Sequence, residues 1–411
     1  MTAAASLTAL SPEQRRHFAW LDAPHLKKVV SALEKAEADA SRFVGGCVRD
    51  SLFGEAPKDF DIATSLTPDA VIEALKAAGL AAAPTGIDHG TVTAIADHQG
   101  VEVTTLRADV ATDGRRAVVA FTRDWAEDAG RRDFRLNAIY LTPDGHLFDP
   151  VGGLDDIAAR RVRFIGEPDQ RIREDYLRIL RFFRFTARFS DDFDADGLGA
   201  CNRLKTGIDV LSAERIGAEM MAILSLPRAA AALQAMRDIG VLDHIWETSA
   251  DIESIKRLKK IAPDAAAPVA LGVLFGEAGD GIGARLRLSN AEKSIRSNAL
   301  KGADAIVPGL SEPQARILIY RLGKDVFQDA TAVTAAQGDI SQSDYDRLIS
   351  LVDRWTPPVL PVSGRHIVDK GVKPGPAVAD ILARVEQQWI DEGFPDEPRV
   401  LEILELQVKA H

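Results

Sequence analysis

Apolar residues first recur at helical spacing through residues 12–40, where SPEQRRHFAWL and PHLKKVVSALEKAEAD each open on a residue suited to a helix start. The period then shortens. RFVGG (42–46) is a short apolar strand whose two glycines end it and open a helix that should run to Gly54. DFDIAT (59–64) is a second strand, and TPDAVIEALKAAG a helix capped by its threonine. TVTAIAD and VEVTTLR alternate apolar and polar residues around HQG, which predicts a hairpin. NAIYLTPDGHLFDP predicts a further strand pair turning on Pro-Asp-Gly. Residues 107–124 lack any clear period and are predicted to be mobile; a loop that long in a compact domain argues for a functional role.

Beyond VGGLDDIAARRVRFIG the strand signals nearly vanish, and helical runs follow one another to the end of the sequence. Turn clusters at 194–197, 262–268, 308–313 and 354–364 mark the joints. The expected class is α+β: a small N-terminal mixed-sheet head followed by a long all-α neck, body and tail. The expected divisions are a helical lead-in at 1–41, the head at 42–150, a helical neck at 151–225, and the body and tail at 226–411.

The 411 residues, 46% hydrophobic and 27% charged, are those of a soluble globular protein too long for one core. Two cysteines, Cys47 and Cys201, cannot build a disulfide framework or a four-thiolate zinc site; they read as buried small residues in a reducing cytoplasm. No apolar stretch is long enough for a membrane span, no secretion signal opens the chain, and nothing marks a protein partner. A net charge of −11 argues against indiscriminate binding to polyanions, but residues 160–188 hold nine arginines, no lysine and four acids. That window reads either as a phosphate-facing surface or as a solvated, salt-bridged one.

Asp59 and Asp61 lie two apart on the predicted strand, so both side chains leave one face. The pattern alone reads rather as two solvated acids at an exposed strand end. The preceding glycines change its meaning. A strand ending in Gly45-Gly46 and turning into a helix offers backbone N–H groups at the positive end of the helix dipole, where phosphate binds. Arg49, one turn in, adds a charge-assisted fork, and paired carboxylates with open positions suit Mg²⁺, which keeps water and phosphate oxygens in its shell.

With GGCVRD (45–50) followed by DFDIAT, the chain resembles the class II template-independent nucleotidyltransferases of the polymerase β superfamily, the group of bacterial tRNA nucleotidyltransferases and poly(A) polymerases. RRDFRLNAIY (131–140), DPVGGLDDIAARRVRFIG (149–166), EDYLRILRFFRF (174–185) and LSAERIGAEM (211–220) are similar to that family's second to fifth motifs, in order. The resemblance implies a nucleotidyltransferase head whose Gly45, Gly46, Arg49 and Arg132 contact the triphosphate of CTP or ATP. It implies Asp59 and Asp61 as metal ligands, with Glu102, alternating with Val101 and Val103, as the third carboxylate. It further implies that Asp175 and Arg178 act as a protein template for the base. The family pattern is departed from at Arg135-Leu136, where Thr-Ile is usual, and at Cys47, where a smaller residue is common; neither removes a needed group.

The fourth motif also has a physical reading. Asp175, Arg178, Arg181 and Arg184 recur every three residues, a stripe winding slowly round one helix, and an arginine-only row suits planar hydrogen-bonding recognition. A carboxylate accepts from the exocyclic amine that C and A share, and a guanidinium donates to ring nitrogen or carbonyl, so C and A are selected over U and G without a nucleic-acid template.

The implied reaction is attack by an RNA 3′-hydroxyl on the α-phosphate of CTP or ATP, with pyrophosphate leaving. The implied RNA is tRNA. Poly(A) polymerases of the class carry a basic Gly-Arg-Arg/Lys-Phe element where this chain reads IADHQGVEVTTLRADV. RADVATDGRRAVVAFTRDWAEDAG keeps the long loop, with Asp113 and Arg116, that CC-adding enzymes lack, so complete CCA addition is expected, with A-only addition still open. A non-catalytic RNA-binding protein of the same fold would have lost a metal-binding or template residue, and none is lost. The body should grip tRNA by shape and backbone. SIKRLKK (254–260) and RLRLSNAEKSIRSNALK (285–301) read equally as RNA contacts or as surface helices, and 363–394 resembles the family's C-terminal segment.

Overall fold

The computed structural model describes residues 7–109, 119–246, 249–276 and 281–411. Asp113 and Arg116 lie outside these residues. The chain divides into two compact units, residues 1–219 with 235–245, and residues 220–234 with 246–411.

The first unit carries the strands β1 (Thr8–Ala9), β2 (Ser41–Val44), β3 (Asp61–Thr64), β4 (Ala81–Gly86), β5 (Thr91–Ala96), β6 (Gln99–Thr105), β7 (Arg107–Asp109), β8 (Val119–Phe121), β9 (Tyr140–Leu141) and β10 (His146–Phe148). Eight of them form one sheet in the order β1-β10-β9-β2-β3-β6-β5-β4. All its pairings are antiparallel except β3 with β6, which sets Asp61 opposite Glu102. The hairpins expected around HQG and Pro-Asp-Gly are the β5–β6 and β9–β10 pairs. β4 was not legible because alanine and proline are poor strand formers; as the sheet's edge strand it tolerates Pro84, whose missing N–H removes no ladder bond from a central strand.

The helices of this unit are α1 (Pro12–Arg15), α2 (Pro24–Ala36), α3 (Gly46–Leu52), α4 (Pro68–Ala77), α5 (Trp125–Gly130), α6 (Gly153–Ala158), α7 (Pro168–Glu174), α8 (Leu177–Phe189), α9 (Ala195–Leu204) and the start of α10 (Ala213–Leu224). Leu26, Val29 and Leu33 of α2 and Val71 and Leu75 of α4 bury their apolar stripe against Phe43, Ile62, Val92 and Val103 of the sheet. Thr67 caps α4 by accepting from the Ala70 N–H. A smaller cluster of Val44, Ala63, Leu106, Ala129, Ala138 and Tyr140 holds α5 and β9 against β2 and β3.

Three details differ from the sequence reading. β3 begins at Asp61, and Asp59 lies in the bend before it rather than on the strand. Residues 107–124 are not wholly irregular: β7 and β8 pair antiparallel and brace the ends of the segment. Asp175 is not on the arginine helix but in the joint between α7 and α8, where its carboxylate accepts from the Leu177 N–H at 3.1 Å.

The second unit is helical, with one core around Phe327, Ala330, Leu348 and Leu351 and another around Ile381, Trp389, Val400 and Ile403. Among the described residues no helix is long and apolar enough to cross a membrane.

Candidate active site

The first unit holds a cleft of about 380 Å³ at the start of α3 and α8. Its head side begins at Gly45, whose backbone (φ 75°, ψ −127°) no side-chain-bearing residue adopts easily. That turn ends β2 and opens α3 with Gly46 at its first position, so N–H groups at the helix start border the cleft. A Cβ at Gly45 would stand 3.8 Å from Asp61 Oδ2 and 3.9 Å from Arg132 Nη1, so a carboxylate and a guanidinium meet at this corner.

Arg49 borders the same cleft and is held from three sides. Its Nε donates to Asp50 at 2.8 Å, its Nη1 to Asn137 Oδ1 at 2.7 Å, and its guanidinium lies over Phe185 and Phe189. Burial pulls its pKa below the arginine value while Asp50 counters. Phe185 is also the floor for Arg181 and Arg184, at 5.2 and 4.5 Å from its centroid.

Asp61 is half-buried and Glu102 and Asp59 are exposed. Burial, then the charge of Glu102, push the Asp61 carboxyl up to about 6; Arg132 opposes this, Asp59 adds to it and Arg49 also opposes it. The charges of Glu102 and Asp59 thus both bear on Asp61. Among the described residues no three His, Cys, Asp or Glu side chains converge into a cage. A half-buried carboxylate crowded by like charge is short of a cation, and a hard divalent ion needs only one or two such ligands when phosphate and water complete its shell. The residues present fit such an ion.

On the helical side, Asp175, Arg178 and Arg181 border the cleft, and Arg184 does not. Asp175 Oδ2 accepts from Arg215 Nη2 at 2.7 Å. Arg178 Nη1 donates to Glu174 at 2.6 Å and to the Arg171 carbonyl at 2.8 Å, and its Nη2 to the Arg131 carbonyl at 3.2 Å. Arg181 pairs with Asp133, which is buried and held below the usual carboxylate range: burial opposes, Arg181 and Asn137 prevail. Arg184 forks onto Glu219, at 2.6 and 3.2 Å. Arg184, expected to contact the nucleotide, is thus engaged by a buried carboxylate outside the cleft lining.

Arg131, Asp133, Asn137, Phe185 and Arg215 also border the cleft but were not singled out in the sequence. All five lie inside the second, fourth or fifth motif, so the motifs themselves were the available signal. In the second unit, the run 254–260 turns part of its charge inward: Lys259 is buried, and Arg257 donates to the Ala336 carbonyl. Arg296, in the run 285–301, is buried and donates to the Gly276 carbonyl.

Residues 41–163 match the family described as poly A polymerase head domain, and residues 193–251 that described as probable RNA and SrmB-binding site of polymerase A. The chain is 34% identical over 383 residues to the mitochondrial CCA tRNA nucleotidyltransferase 1 of Mus musculus, covering 89% of this chain and 86% of that one. It is 31% identical over 396 residues to the CCA-adding enzyme of Levilactobacillus brevis, covering 91% and 95%. The fold is shared with the crystal structure of Bacillus stearothermophilus CCA-adding enzyme in complex with CTP, at a TM-score of 0.71 and 24% identity over 94% of this chain and 98% of that chain. It is shared too with the Thermotoga maritima CCA-adding enzyme complexed with tRNA, at a TM-score of 0.64 and 19% identity over 98% and 96%.

Proposed function

The chain belongs to the family of class II tRNA nucleotidyltransferases and bacterial poly(A) polymerases, and from that premise we propose that it adds CMP and AMP, from CTP and ATP, to the 3′ end of tRNA until the terminus reads CCA. The observation that carries this reading is one cleft bordered on one side by Gly45, Gly46, Arg49 and Arg132 and on the other by Asp175 and Arg178. The first set suits a triphosphate and the second a base edge, and Asp61 lies at the corner of the first.

Asp59 and Asp61, with Glu102 as the third carboxylate, would hold Mg²⁺. When bound, the ion supplies activation of the attacking hydroxyl and neutralises charge on the leaving oxygens. The helix start at Gly45-Gly46 and the guanidinium groups of Arg49 and Arg132 seat the phosphates and offset their negative charge. Asp175 retains acceptor capacity beyond its bonds to Leu177 and Arg215, since an ionised carboxylate has about four lone-pair sites. It accepts from the amine of C or A while Arg178 donates to the neighbouring ring acceptor; U and G present a carbonyl to Asp175 and are refused. Arg181 sets the wall beside them through Asp133, and the helical neck, body and tail receive the tRNA by backbone and shape.

The absence of a basic Gly-Arg-Arg/Lys-Phe element after β6, and relatives named as CCA-adding, favour tRNA over poly(A) synthesis. A non-catalytic RNA-binding protein would not need the carboxylates at 59, 61 and 102. We place the reaction in the cytoplasm, where two buried free thiols such as Cys47 and Cys201 stay reduced.

The test is incorporation of labelled CTP or ATP into tRNA transcripts that end before CCA, after CC, or complete. CMP and AMP should enter the first and AMP the second. Poly(A) tails on unrelated RNA would overturn the choice of substrate, and full activity in Asp59→Ala or Asp61→Ala would overturn the carboxylate assignment.

A further inference from the structure

Asp128 does not border the cleft, yet it is 1% exposed and accepts hydrogen bonds from four residues, Arg107, Arg131, Arg132 and Tyr140. Its Oδ1 accepts from Arg131 Nε and Nη2, at 2.9 and 2.6 Å, and from the Arg107 backbone N–H at 3.0 Å. Its Oδ2 accepts from Tyr140 Oη at 2.7 Å and from Arg132 Nη2 and Nε at 3.1 and 3.3 Å. Burial alone would raise its pKa; the charges of Arg132 and Arg131, with the Tyr140 hydroxyl, bring it down to about 2. It is therefore an anion in the first turn of α5.

These contacts do more than neutralise charge. Because Asp128 grips Arg132 by Nε and Nη2, the third nitrogen, Nη1, is left on the side toward Gly45 and Asp61. It also grips the Arg131 side chain, and the carbonyl of that same residue is an acceptor for Arg178 Nη2. One side chain thus holds the phosphate-facing guanidinium directly, and holds as well the residue whose carbonyl receives the base-facing guanidinium. The bond to Arg107 N–H ties both to the start of β7, the strand that opens the long segment 107–124.

We infer that Asp128 is a positioning residue for nucleotide selection, setting the distance between the triphosphate seat at Arg132 and the base-reading Arg178. The inference rests on the nucleotidyl-transfer reading and adds to it a residue that touches neither nucleotide nor metal. A buried carboxylate could serve stability alone. A positioning carboxylate must in addition act through Arg132, and that is measurable.

The experiment compares wild type, Asp128→Asn, Arg132→Ala and the double variant in single-nucleotide extension of a tRNA transcript, with CTP and with UTP. Asparagine keeps the size and loses the charge that aligns both guanidinium groups. Charged hydrogen bonds of this kind are each worth about a tenfold effect or more, so kcat/KM for CTP should fall about 10- to 100-fold, mainly through KM. Discrimination against UTP should narrow, and Asp128→Asn should add little once Arg132 is already alanine. If Asp128→Asn does not fold, Asp128→Glu serves instead: it retains the charge and misplaces it by one methylene, so KM should rise with the melting temperature near wild type. Wild-type KM and UTP discrimination in a folded variant, or full additivity with Arg132→Ala, overturns the positioning role. A wild-type protein that extends no tRNA takes the underlying reading down with it.

Discussion

Gly45 and Gly46 stand side by side at the start of α3, and alanine should act in opposite directions on stability at the two positions. Gly45 has φ 75° and ψ −127°. Its Cβ would find room, with Asp61 Oδ2 at 3.8 Å and Arg132 Nη1 at 3.9 Å as nearest atoms, so the penalty is one of backbone conformation. Such strain costs about 1–3 kcal/mol, and each kcal/mol lowers the melting temperature by roughly 2–4 °C for a unit of this size. Relief requires turning φ negative, which swings the carbonyl that accepts from the Arg49 N–H at 3.0 Å and so moves the helix start. Gly46 is not in the left-handed region, and its Cβ would meet Arg49 Nη2 at 3.9 Å, an ordinary contact. At a first helical position alanine is the better residue, so Gly46→Ala should be neutral or stabilising by about 0.5–1 kcal/mol. Both variants should raise KM for CTP and ATP, the first by moving the seat and the second by placing a methyl group in it. Thermal denaturation separates the two stabilities, and extension of a tRNA transcript at varied CTP reads KM. Equal melting temperatures for the two variants would refute the backbone reasoning, and an unchanged KM in Gly46→Ala would refute the assignment of the seat.

Acid should weaken the first unit through Asp128. Its carboxyl falls from an ordinary 3.8 to about 2 in the folded protein, so its contribution of about 2 kcal/mol is complete above the unfolded value and is lost as pH drops through the folded one. Urea denaturation at a series of pH values should therefore show a flatter acid limb for Asp128→Asn than for wild type; parallel limbs would contradict this. Arg184→Ala should cost about 2–3 kcal/mol by removing the nearer partner of Glu219, which is 8% exposed and would keep only Arg181 at 3.8 Å, while leaving KM for CTP near wild type; a large rise in KM would place Arg184 at the nucleotide. Gly153→Ala should destabilise severely, since its Cβ would lie 2.3 Å from the Arg135 carbonyl oxygen. Should the protein still fold, the displaced turn at Arg135–Asn137 should loosen the Asn137 bond to Arg49 and raise nucleotide KM.

How much could be read in advance follows from the range of the interactions involved. The strand–glycine–helix turn at Gly45, the capped α4 and the two hairpins are local, set by backbone freedom and period, and each is recognisable within a dozen residues. The arginine row does not keep to one face, for a geometric reason. Residues three apart on a helix turn by about 300°, so each step drifts about 60° from the last. By that drift Arg184 has left the face of Arg178 by about 120° and meets Glu219 of α10, a partner 35 residues away that no local period announces. Asp128 was invisible for the same kind of reason. Nothing in WAEDAG distinguishes it from Glu127, its neighbour; only Tyr140 on β9 and the backbone of β7, brought from either side in sequence, make it the common acceptor. Motifs therefore expose the groups that face a ligand, because those are constrained by type. The carboxylates that aim such groups are constrained by position, and position is a property of the fold.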